Sequence, residues 1–164
     1  MSIKNKGDDF IKSINRYMAL FCFYGAIYFI IESIYKHHIT NYRMAILGGI
    51  LGIFIGVINN AFSFETDLIL QGMIGSLLIT LSEAIFGYQW NIVENLKIWD
   101  YSSLIFSGVG GQVCLVFTLF VWFPMSIVCI LLDDYINYYI LKIEPCPYYI
   151  IFGHKFLQFK ERKN

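Results

Sequence analysis

The sequence predicts an all-α membrane protein: a bundle of four transmembrane helices, with a structured loop between helices 3 and 4 and an interfacial C-terminal segment. Three observations carry that expectation. Of the 164 residues, 57% are hydrophobic and only 15% charged, against roughly 25% charged in a soluble domain. The apolar residues are gathered into four long blocks, which a soluble core does not require. None of the blocks shows the strict alternation of a membrane β-strand.

The blocks cover residues 17–35, 44–62, 68–88 and 112–132. Each is close to the ~20 residues that cross ~30 Å of hydrocarbon at ~1.5 Å per residue. Lipid offers no partner to backbone N–H and C=O groups, so each block has to pair its own as a helix. Lys4, Lys6, Lys12 and Arg16 precede the first block in the manner of a signal peptide. Glu32 follows it, however, and no convincing small-x-small cleavage pattern does, so the block reads as a retained span. Residues 1–16 are then a cytoplasmic N-terminal segment and 17–135 the transmembrane domain. Residues 136–164 are an interfacial segment and basic tail, with a fifth span over 135–152 as the alternative; Pro145 and Pro147 argue against it.

Lysines and arginines set the expected orientation. Nine of the 12 fall on the side that holds both termini and the second loop, and three (Lys36, Arg43 and Lys97) on the other. The positive-inside rule therefore predicts a multi-pass protein of the cell membrane with both termini cytoplasmic. Equal numbers of acidic and basic residues, with no basic stripe among aromatics, predict no nucleic-acid partner.

Gly48, Gly52 and Gly56 recur every fourth residue in the second block, followed by Asn60. Gly72, Ser76 and Thr80 do so in the third. Such stripes let helix backbones approach closely, within the bundle or between copies of the chain. Glu32 and Glu83 are the sharpest polar features, because an intramembrane carboxylate is costly unless paired, protonated or wet. With Gln112 and Asp100 they form a candidate ligand or ion rim at one end of the bundle. Alternatively, the two carboxylates accept hydrogen bonds that fix helix register. In the long third loop Trp99, Tyr101 and Ser102 are candidate anchors, with Asp100 closing an Asx-type turn.

Enzyme templates find no match, so no catalysis is expected. Gly108, Gly110 and Gly111 lack the Lys-Ser/Thr of a phosphate loop, which leaves ATP hydrolysis to another chain. No HExxH or Cys/His cluster offers a metal site, and no cofactor is expected. A serine hydrolase within the membrane would need a histidine in a span. Asp133-Asp134 has no second acidic motif and reads as a cap on the inner edge of the bundle.

The motifs Tyr24-Gly25 to Glu32, Glu83 with Gly87, Trp99-Asp100-Tyr101-Ser102, and Gly111-Gln112-Val113-Cys114-Leu115 to Trp122 occur in a recognisable order. Over residues 17–135 the chain resembles the ABC-transporter type IV (CmpB-like) family. It departs at Ser107-Gly108, where members carry an asparagine. The resemblance implies a small bacterial permease component that acts in the bilayer with a separate ATPase subunit. The alternatives are a holin-like protein of a phage or its host, which opens lesions by self-association, and a scaffold without transport activity.

Overall fold

The computed structural model describes residues 3–162, with side chains from Ile14 onward. The basic residues Lys4, Lys6, Lys12 and Lys163 of the charge count lie outside the described side chains. Four helices are long and apolar enough to cross a membrane: α1 (Ile3–Lys36), α2 (Tyr42–Ala61), α3 (Leu68–Val93) and α4 (Leu115–Ile140). Between α3 and α4, β1 (Ser107–Gly108) pairs antiparallel with β2 (Val113–Cys114). After α4, β3 (Tyr148–Ile151) pairs with β4 (His154–Gln158). Among the described residues the protein is all-α apart from these two small sheets. It divides into two compact units, one ending at Phe54 and the other starting at Ile55.

In the first unit, α1 and the first part of α2 meet along the small-residue stripe. A Cβ added at Gly48 or Gly52 would collide with the rings of Tyr28 and Tyr24, and one at Gly49 would lie 2.7 Å from the Phe21 ring. Leu20 and Tyr24 of α1 and Met44, Leu47 and Leu51 of α2 are buried there. Past Lys36 the chain turns through His37 at φ 56°. Ser33 fastens that corner, donating to Phe29 O at 2.7 Å and accepting from the Thr40 N–H at 3.1 Å.

In the second unit, α3 is inside out by the standard of a soluble protein. Its buried face is Leu68, Gln71, Gly72, Gly75, Ser76, Ile79, Glu83 and Gly87, small and polar residues outnumbering the two aliphatic ones. The opposite face exposes Leu70, Met73, Leu77, Leu81 and Ile85, each about half accessible or more. A helix solvated by lipid needs no apolar interior. Small residues allow its partner to come close, and hydrogen-bonding side chains add to the contact. The facing stripe of α4 follows the same rule with Trp122, Ser126, Ile130, Asp133 and Asn137. A Cβ at Gly72 would lie 2.8 Å from Ile127, and one at Gly75 2.8 Å from Ser126.

A wide π turn over Thr118–Trp122 interrupts α4 just before Pro124. Proline has no N–H to give and crowds the carbonyl one turn back, which a wider turn relieves. The Ser76 hydroxyl donates to Thr118 O at 2.8 Å, and the Thr80 and Thr118 hydroxyls share a 2.8 Å bond. Both stitch α3 to α4 at that turn.

The fourth span differs from the expected one at both ends. Gln112 precedes β2 and Val113 and Cys114 form it, while residues 136–140 extend the helix by a further π turn. Asn137 explains the extension: it continues the buried face, its Nδ2 donating to Asp133 Oδ2 at 3.0 Å. Residues 148–158 form a hairpin, so the alternative fifth helical span does not form there. Phe152 and Gly153, at φ 50° and 77°, supply its two-residue turn, the geometry that suits the twist of paired strands. Asp67 holds that turn in place. One carboxylate oxygen caps α3 through the Ile69 N–H at 2.8 Å, and the other accepts the Phe152 N–H at 2.6 Å.

Candidate functional site

The buried stripe of α3 brings Glu83 to the interface with α4, where it is 3% exposed. The Trp122 indole N–H donates to Oε2 at 2.8 Å and the Tyr101 hydroxyl to Oε1 at 2.9 Å. Trp122 belongs to α4 and Tyr101 to the loop, so one carboxylate joins three segments. Tyr101 stacks on Phe117 with ring centroids 4.8 Å apart, and the Phe117 and Trp122 centroids are 6.3 Å apart. An aromatic wall therefore surrounds the group. Hydrogen bonds to a charged acceptor are about twice as strong as neutral ones, which offsets the cost of burial.

The loop closes over this end of α3 through Asn91, in the helix's last turn. Asn91 Nδ2 donates to Trp99 O at 3.0 Å and to Gln112 Oε1 at 2.6 Å, while its Oδ1 accepts the Ile98 N–H at 2.6 Å. Trp99 Nε1 donates to Gln112 O at 3.0 Å. The Tyr101 N–H reaches Gly111 O at 2.7 Å. Gly111 itself sits at φ 81°, where an added Cβ would strike Asp100. Glycine is required there by both the backbone conformation and the space.

The four residues of the expected rim are distributed as follows. Glu83 and Gln112 lie at the same end of α3, separated by Gly87, whose added Cβ would meet Gln112 Cβ at 2.8 Å. Asp100 is exposed, and its carboxylate accepts the Ser102 N–H at 2.8 Å to close an Asx turn. The Ser102 N–H, then the Ser102 hydroxyl, hold the Asp100 carboxyl below its usual range. Glu32 belongs to the first unit and pairs with Lys36 one turn on, at 2.6 Å. Of the three loop anchors, Trp99 and Tyr101 carry side-chain bonds, and Ser102 contributes its backbone N–H and its hydroxyl to Asp100.

A second polar cluster, at the far end of α4 from Trp122, has no counterpart in the sequence reading beyond the Asp133-Asp134 cap. Asp133 and Asp134 are each 1% exposed, and Asn137 0%. Asp133 faces Gly56, where an added Cβ would lie 2.7 Å from Oδ1. Asp134 accepts from Asn59 Nδ2 at 2.5 Å and from the Tyr149 hydroxyl at 2.6 Å. Asn137 Nδ2 also donates to Glu144 Oε1 at 2.8 Å. Burial, and then the Asp134 charge, push the Tyr149 hydroxyl above the ordinary tyrosine pKa. Glu144 and Tyr149 could not be assigned to this cluster from spacing, because the hairpin that delivers Tyr149 was not expected.

No group of three or more His, Cys, Asp or Glu side chains is placed to hold a metal ion among the described residues. Fold and site together define a protein with four membrane-length helices, in which buried carboxylates fasten extramembrane segments to helix ends. Compared with known proteins, the chain matches no family model, no curated protein and no solved structure.

Proposed function

We propose that this chain is a non-catalytic membrane subunit of a transport system, working with a separate ATPase subunit as its resemblance to the CmpB-like family implies. In this reading both termini are cytoplasmic, and the loop between α3 and α4 faces outward as a docking surface. The observation that carries it is the fastening of that loop. Trp99, Tyr101 and Gln112 tie it to Asn91 and to buried Glu83, as a surface of fixed shape requires. A lesion-forming assembly is less well supported, because the small-residue stripes that would bring copies together are filled from within each unit. Tyr24 and Tyr28 cover Gly52 and Gly48, and Ile127 and Ser126 cover Gly72 and Gly75.

Purification of the tagged chain from its own membranes in a mild detergent tests the proposal. An ATP-hydrolysing subunit should accompany it at fixed stoichiometry, and the association should weaken in Tyr101→Phe. A chain recovered only with copies of itself, and releasing dye from liposomes, would replace the transport reading with the lesion-forming one. Orientation is tested by cysteine labelling in a cysteine-free background. Position 102 should react in intact cells, and position 2 only after permeabilisation.

A further inference from the structure

A cavity of about 410 Å³ opens beside the Asp134 cluster, entirely within the second unit. Its size falls in the range of small-molecule sites, roughly 300–1,000 Å³. Its walls combine two kinds of group. Asp134, Glu144 and Glu65 supply carboxylates, with Glu65 at an exposed edge. Phe62, Phe64 and Tyr148 supply rings, those of Phe64 and Tyr148 lying 5.6 Å apart at 47°. Among the described lining residues none is lysine, arginine or histidine. Behind the wall, fully buried Asn137 donates to Glu144, while its own carbonyl oxygen has no hydrogen-bond partner.

Each feature narrows the ligand. A lining rich in carboxyl groups, with no lysine, arginine or histidine among its described residues, favours cations over anions. Aromatic faces favour a weakly hydrated organic cation, whose charge the ring quadrupole attracts. Small inorganic ions would instead demand a close shell of oxygen ligands. Tyr148 already attracts such a group on this surface, with the Lys155 ammonium 4.9 Å from its ring centroid. We propose that this cavity binds a small alkylammonium ion, held by Asp134, Glu144 and Glu65 against the rings of Phe62, Phe64 and Tyr148. The ammonium could belong to a soluble amine or to a lipid headgroup, since both present the same chemistry. The site stands on its own lining and does not depend on the transport reading.

The full chain in phosphatidylglycerol nanodiscs, titrated calorimetrically with choline and with its uncharged isostere 3,3-dimethylbutan-1-ol, tests this. Choline should bind one saturable site about tenfold or more tighter than the isostere, the margin expected of a desolvated cation–π contact. Glu65→Gln, at an exposed position, should weaken choline binding a few-fold without disturbing the fold. Phe64→Leu should weaken it further while keeping the cavity apolar. Adding phosphatidylethanolamine to the discs separates the sources: competition with choline identifies a headgroup, and its absence a soluble amine. Equal binding of choline and its isostere, or no saturable binding by a chain whose helix content is intact, would overturn the assignment.

Discussion

Trp122 of α4 and Glu83 of α3 are 39 residues apart in sequence and meet in one buried hydrogen bond of 2.8 Å, indole N–H to carboxylate. The bond fixes the register of the two helices at the level where the loop between α3 and α4 attaches. It also makes Glu83 the residue whose replacement separates shape from charge. Glu83→Gln keeps an acceptor for Trp122 and should preserve the fold, whereas Glu83→Leu removes both acceptors and should not. Trp122→Phe is expected to cost about 1–3 kcal/mol, because a buried acceptor loses a donor. Unfolding by sodium dodecyl sulfate in mixed micelles measures all three. A Gln variant as unstable as the Leu variant would show that the charge itself holds the helices.

Gly52→Leu should destabilise the contact of α1 with α2 by about 1–3 kcal/mol or more, since a large side chain must displace the Tyr24 ring. Ile46→Leu, on the exposed side of the same helix, should change stability by less than about 0.5 kcal/mol. Thermal unfolding in detergent compares the two. Equal effects would place the stripe against lipid.

Asp67→Ala should act at two places at once. Loss of an N-cap costs about 0.5–2 kcal/mol, and the hairpin turn loses the acceptor of the Phe152 N–H. Hydrogen exchange should therefore rise at both Ile69 and Phe152. Asp67→Asn, which keeps an acceptor for the cap, should protect Ile69 better than Asp67→Ala does. Exchange that rose at Ile69 alone would mean that the turn holds without the carboxylate.

Stability should fall in alkali through Tyr149. Its pKa in the folded protein is raised above the unfolded value near 10, so the folded state retains a proton that the unfolded state gives up. The stabilisation is complete below about pH 10 and declines as pH rises further. Tyr149→Phe should lower stability at neutral pH, by removing a donor from Asp134, while flattening the loss between about pH 10 and 11. Denaturation at a series of pH values checks the slope. A variant that kept the wild-type slope would assign the alkaline loss to another group.

The parts legible in the sequence were those whose period matched their environment. Gly72, Ser76 and Glu83 lie on one face of any helix drawn through them, and lipid leaves small and polar groups only that face to bury. The Asx turn at Asp100 was legible for a similar reason, its partner being two residues away. Asn91 and Trp122 escaped because a carboxamide at a helix end and a tryptophan in an apolar block resemble ordinary interface residues. Only the fold brings them to Gln112 and Glu83. The C-terminal part misled for another reason. Tyrosine and isoleucine at 135–152 suit a membrane interface, a helix end and a β-strand alike. Ending the fourth span at residue 132 also turned Asp133 and Asp134 into caps. The structure carries the helix on to Ile140 and buries both.

The two oxygens of Asp67 have different histories during synthesis. Oδ1 can cap α3 as soon as Ile69 has emerged, while Oδ2 waits for Phe152, made 85 residues later. Between those moments α3 and α4 can enter the membrane with the start of α3 only half secured. Arrival of the hairpin then completes the cap from outside the helix. A fault in the hairpin would thus be felt at the start of a helix translated 85 residues before it.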